Sequence, residues 1–213
     1  MRTRIHLAGL AFLAAALATG CASKGYQRSE QVSDSIHGTV AAVDAYGTSR
    51  KDSFDSMCAL VAEPLDNLPA KFEAFNTSVD RVVSADGSLR GAVASMKSTA
   101  GARFQAWGRE NVSYSDADMQ IQSQKFRAEA AEVFRKAAQD SDAMLECSAG
   151  FVAYLSDLRK ILSNDLTPKG VAGVSGFAAK ARASNDRLDE MARPTRVSLG
   201  AAADAMSSKG TTD

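Results

Sequence analysis

FRAEAAEVFRKAAQDSDAMLECSAGFVAYLSDLRKI, residues 126–161, sets the architecture of this chain. Phe126, Ala130, Val133, Ala137, Asp140, Met144, Cys147, Phe151, Tyr154, Leu158 and Ile161 follow one another at steps of 4 and 3, and only Asp140 is polar. That rhythm places them on one narrow stripe of an α-helix, in the manner of a coiled coil. The helix is expected over about 116–163, which at a rise of about 1.5 Å per residue spans on the order of 70 Å. A compact globule of 22.4 kDa has no room for it. The molecule should be elongated.

The same spacing extends upstream. Phe54, Cys58, Val61, Leu65, Leu68, Phe72, Phe75, Val79 and Val82 are all apolar, with a weaker prelude at Ile36, Val40 and Val43. Pro64 and Pro69 interrupt this run, so one helix should end near Ala62 and another start with Asn67 as its cap, the alternative for so unbroken a phase being a single kinked helix. Ser84-Ala85-Asp86-Gly87-Ser88 reads as a turn, and Leu89, Val93, Met96, Ala100, Phe104 and Trp107 form a third stripe. Asn111 to Asp116 breaks the pattern, and Ser115 with Asp118 resembles a helix start. Downstream, Thr167 and Pro168 open a last helix that carries Val171, Val174, Ala178, Ala181, Leu188 and Ala192 and should stop at Arg193-Pro194. Isolated helices are marginal and must bury their apolar faces against partners, while short turns favour antiparallel neighbours. The expected fold is all-α, an elongated antiparallel bundle of coiled-coil hairpins over residues 31–193, with 194–213 a frayed tail.

The amino terminus reads as an address. Arg2 and Arg4 precede an apolar run from Leu7 to Ala18, about 18 Å of helix and too short to span a hydrocarbon core of about 30 Å. Residues 1–20 therefore look like an export signal. Leu17-Ala18-Thr19-Gly20-Cys21 resembles the bacterial lipobox, which implies a mature chain beginning at a lipidated Cys21. Ala22 in place of Asp is similar to outer-membrane sorting in a Gram-negative envelope. Residues 21–30 are expected to be a lipidated tether. Removing residues 1–20 takes away two arginines and no acids, so 25 basic against 25 acidic residues becomes 23 against 25, a net charge of −2. That balance gives no electrostatic reason to expect nucleic acid as a partner.

Chemistry-bearing residues are few. His6 and His37 are the only histidines, and His37 has no partner for triad or metal work. Glu129 and Glu132 have the spacing of bundle metal ligands but lack the Glu-x-x-His pairs that a di-iron site needs; Glu132 and Lys136 read instead as a surface i,i+4 pair. No metal and no cofactor is expected. Asp140 either faces water where the stripe drifts, or it sets register, pairs with a basic residue or lines a polar interior site. Cys58 and Cys147 lie on apolar stripes of an exported chain, where disulfides persist. They are either a bridge closing a loop of roughly 90 residues, worth about 4–5 kcal/mol in the chain-entropy account, or two separate buried thiols. Phe104 and Trp107 are either core or the wall of a pocket between helices. Gly170-x-x-Gly173-x-x-Gly176 lacks the spacing of a phosphate loop and suits a loose helix start or a close crossing.

Lipobox, Val79-Asp80-Arg81-Val82-Val83, Trp107 and the span Met144 to Asn164 together resemble an uncharacterised family of bacterial helical lipoproteins. Here Lys160-Ile161-Leu162-Ser163-Asn164 departs from the family's usual Lys-His-Asn-Leu-Asn. The resemblance implies the fold and the compartment, and no catalytic residue. The expectation is a non-enzymatic, lipid-anchored protein on the periplasmic face of the outer membrane. It would be structural or adaptor-like and bind an envelope protein or itself. The alternative is a helical module that binds a small ligand or lipid.

Overall fold

A computed structural model describes residues 25–111 and 114–207. Five helices follow in order: α1 (Gly25–Val61), α2 (Leu68–Asn111), α3 (Ala117–Asn164), α4 (Pro168–Val174) and α5 (Phe177–Met206). Around the bundle, α1 packs on α2, α2 on α3, α3 on α5, and α5 back on α1. The fold is an all-α, antiparallel four-helix bundle. Its longest member, the 48-residue α3, measures about 72 Å. One end, the near end, gathers the start of α1, the end of α2, the start of α3 and the end of α5. At the far end short α4 contacts α1 and α3 and buries Val171 and Val174.

Each long helix buries one seam at alternating steps of 4 and 3. In α3 it is Ala130, Phe134, Ala137, Ser141, Met144, Ser148, Phe151, Leu155, Leu158 and Leu162. In α1 it is Val32, Ile36, Thr39, Val43, Tyr46, Arg50, Ser53, Met57 and Leu60. α2 contributes Phe75, Val79, Val82, Asp86, Leu89, Val93, Met96, Ala100 and Arg103, and α5 runs from Ala181 to Met206 in the same rhythm. The α3 seam differs from the expected stripe at every second position. Phe134, Ser141, Ser148, Leu155 and Leu162 are inside, while Val133, Asp140, Cys147 and Tyr154 flank the core and Ile161 is exposed.

Four expected boundaries are corrected. α2 passes through 84–88 without a turn, because Asp86 points inward to partners and Gly87 costs only about 1 kcal/mol within a long helix. α1 starts by Gly25, inside the expected tether of 21–30: Arg28 pairs with Glu110 at 2.7 Å, and Arg103 Nε donates to Ser29 Oγ at 2.8 Å. α5 continues through Pro194 to Met206 rather than fraying. An interior proline costs about 3 kcal/mol, but burial of Leu199 and Met206 returns about 1.5–3 kcal/mol each. Asp116, not Ser115, caps α3, accepting from the Met119 N–H at 2.9 Å. The Thr167–Pro168 start is as read from the sequence: Thr167 Oγ1 accepts from the Gly170 N–H at 3.1 Å. Gly170 is required there, since a Cβ would lie 2.5 Å from the Asp165 carbonyl oxygen. Asn67 carries the only positive φ of a non-glycine among the described residues, 47°, which asparagine tolerates at a helix start.

Candidate functional site

The polar members of the four seams meet one another at fixed levels, and these levels are the strongest candidates for function. At mid-height Asp86 of α2 is buried among α1 and α3. Its Oδ1 accepts from Ser148 Oγ at 2.6 Å, and its Oδ2 accepts from Arg90 Nε at 2.7 Å. Arg90 also donates to the Leu145 carbonyl at 3.0 Å. Tyr46 of α1 reaches the same level. Burial pushes its phenol well above the ordinary value, and the Asp86 charge adds to the effect. Its hydroxyl completes no hydrogen bond of standard geometry.

Serine beside a carboxylate invites comparison with a nucleophile, but the geometry serves another purpose. Ser148 donates to the carboxylate but is fully buried in the seam, so its hydroxyl is not open to a substrate. His37 is exposed on α1, nine residues from Tyr46 and about 13 Å away along the helix. Arg90 and Ser148 together occupy both carboxylate oxygens. This is a register lock between α2 and α3.

A second level joins α1 to α5. Arg50, only 5% exposed, donates through Nη1 to the Asn185 carbonyl at 2.9 Å and to Asn185 Oδ1, and through Nη2 to Asp189. It floors a groove of about 560 Å³ whose walls include Asp44, Phe54, Arg182 and Arg196. Arg182 stacks over the Phe54 ring at 5.2 Å, and Arg196 donates to Asp44. Four basic and four acidic side chains line this groove, so it focuses neither sign of potential. A smaller cleft of about 390 Å³ between α2 and α3 is lined by Phe72, Asn76, Asp80 and Arg159, with Arg159 donating to Asp80.

The residues singled out from the sequence fall as follows. Cys21 lies outside the described residues. Cys58 and Cys147 are both free and half-buried, the second of the two alternatives read from the sequence. Cys147 sits beside Tyr46, whereas Cys58 is twelve residues further along α1 beside Asp55 and Arg182, about 18 Å away along the axis. A disulfide needs Cα atoms within about 7 Å. Burial also raises the Cys58 thiol, keeping it protonated and a poor nucleophile.

Phe104 and Trp107 are brought together at the α2–α3 seam, where they pack and line neither cleft. Phe104 meets Phe134 edge-tilted at 5.9 Å between centroids. Trp107 Nε1 donates to Ser123 Oγ at 3.2 Å, and Arg103 lies 4.4 Å over the indole. Asp140 takes the pairing alternative, bound by Lys136 and largely buried. Glu132 pairs with Arg135 rather than with the expected Lys136. No helix among the described residues is long and apolar enough to cross a membrane.

No profile of a known protein family, no curated protein and no solved structure matches this chain. Reasoning from sequence missed Arg50, Asp86, Ser148 and Asn185. The signal available for them was their place on the 4-and-3 rhythm, which a search for apolar residues passes over.

Proposed function

We propose that the protein is a non-catalytic, lipid-anchored rod of the cell envelope with a structural or adaptor role. In this reading Cys21 carries the lipid on the periplasmic side of an outer membrane, as the resemblance to helical lipoproteins implies. The bundle then presents a helical face to another envelope protein or to a second copy. One observation carries the reading: the buried polar groups at the mid-height levels bind one another and hold helix register, and the α1–α5 groove is charge-balanced. Side chains arranged in this way specify the shape of a long scaffold.

In-cell crosslinking followed by mass spectrometry tests the adaptor role, and a protein adduct recovered at stoichiometric yield is expected. A saturable rise in melting temperature with a co-purified small molecule, and no protein adduct, would favour the ligand-binding alternative. Fractionation tests the anchor separately, because a Cys21→Ala variant should leave the membrane fraction.

A further inference from the structure

We propose that the near end of the bundle is itself a membrane-docking surface that inserts Tyr114, Met119 and Ile121 into the lipid interface, with Phe126 at its margin. This rests on the reading of Cys21 as a lipid anchor. Nine large apolar side chains are exposed among the described residues, and five of them, Tyr26, Tyr114, Met119, Ile121 and Phe126, lie at this one end. The other four, Val83, Ile161, Phe177 and Val197, are scattered along the rod.

Exposure here has a structural cause. Met119, Ser123, Phe126 and Ala130 continue the steps of 4, 3 and 4 that define the α3 seam; Ser123 and Ala130 are buried, while Met119 and Phe126 are left uncovered by the described residues. The Thr195 hydroxyl donates to the Asp140 carbonyl at 3.4 Å, which sets the level of α5 against α3. Eleven residues later Met206 ends α5, near residue 129 of α3. α1 starts at Gly25, beside Arg103 and Glu110 of α2. Gly108 in turn packs against the Arg127 guanidinium of α3. Residues 117–126 of α3, with the end of α2, therefore project beyond the described parts of α1 and α5. Met119 and Ile121 are each 63% exposed, and Phe126 is 52% exposed.

Chain length fixes what lies opposite. Cys21 precedes Gly25 by four residues, and four residues reach at most about 14 Å. From Arg127 to Ala117, α3 projects about 15 Å past the start of α1. An acylated Cys21 thus holds the membrane no further from Gly25 than the hairpin itself extends. In an upright rod the hairpin tip therefore reaches the bilayer. Interfacial apolar side chains settle about 5–10 Å into the headgroup boundary, and Met119 and Ile121 lie within about 6 Å of the start of α3. Asp116 and Asp118 share this end with Lys125 and Arg127, so the contact is apolar rather than a basic attraction to anionic headgroups.

Photocrosslinking tests the assignment on the full chain expressed in a Gram-negative host. A benzophenone amino acid replaces Met119 in one variant and the equally exposed Val197, further up the rod, in another. After irradiation of membranes, mass spectrometry reads both the adduct and the amino-terminal peptide. Phospholipid adducts at position 119, about tenfold above those at position 197, are expected. Adducts to a second copy, to another protein, or to residues 208–213 of the same chain would overturn the proposal. So would a lack of lipid adduct on a chain whose Cys21 peptide carries the diacylglyceryl mass, and that outcome leaves the anchor standing. A Cys21 peptide without that mass overturns both.

Discussion

Arg50 and Asn185 offer the most direct test of what the buried polar levels do. Arg50→Leu removes a desolvated guanidinium and strands Asn185 Oδ1, at a cost of about 1–3 kcal/mol for an unsatisfied buried acceptor. Asp189 is not stranded, because its side chain is 64% exposed and water replaces the lost partner. Asn185→Leu alone takes one acceptor from the buried guanidinium, which keeps the residue-185 carbonyl and Asp189, so it should cost a comparable amount, about 1–3 kcal/mol. The double variant Arg50→Leu/Asn185→Leu removes both sides of the problem and fills two seam positions with apolar volume. It should exceed the parent by about 1–4 kcal/mol, as replacement of buried ionic groups by packed hydrophobes does. For a domain of this size that is a rise of about 2–4 °C in melting temperature per kcal/mol. Urea unfolding followed by far-UV circular dichroism yields all four stabilities of the cycle. A double variant less stable than the parent, or single-variant losses that simply add, would refute the view that the two residues form one unit whose role is register rather than stability.

Tyr46→Phe tests the mid-height level through pH. The phenol's folded pKa is raised above its unfolded value, so its contribution is complete below about pH 10 and is lost as pH rises further. The variant should match or slightly exceed the parent at neutral pH, since it deletes an unpaired hydroxyl, and should lose less stability in alkaline melts; equal alkaline slopes would contradict this. Leu199→Ala, beyond Pro194, should destabilise the whole bundle by about 2–5 kcal/mol in denaturant melts, because Leu199 is fully buried. A frayed tail would give no change. Gly87→Ala should stabilise by about 0.4–1 kcal/mol, since a Cβ there meets nothing within 4 Å. Gly170→Ala should destabilise by about 1–3 kcal/mol, since its Cβ would strike the Asp165 carbonyl. Thermal melts of the two glycine variants should therefore move in opposite directions.

The helical class was legible because the 3.5-residue period is a property of one chain segment at a time. Ala130, Ala137, Met144, Phe151 and Leu158 were placed correctly for that reason. The alternate positions were not, because a stripe of this period admits either neighbour at each second step. Hydropathy prefers Cys147 to Ser148 and Val133 to Phe134 only weakly or wrongly. A helix with two neighbours, moreover, buries a broader face than one coiled-coil seam. Asp86 was read as turn chemistry because its partner across the seam, Ser148, lies on another helix and is invisible to a local reading. Pro194 read as a stop for the same reason: what carries α5 past it is burial against distant residues. Trp107 and Phe104 were legible as core or as pocket, and only the positions of Ser123 and Phe134 separate the two.

The spacing of the buried polar levels has a mechanical consequence. Sliding α5 by one heptad, about 10.5 Å, would carry Arg50 from Asn185 to Ala178 or Ala192, where nothing accepts its protons. Sliding α3 one heptad toward its own start would set Leu155 against Asp86. The penalties fall together at separate heights, so the helices cannot creep past one another singly under load. A spar built this way keeps a constant length.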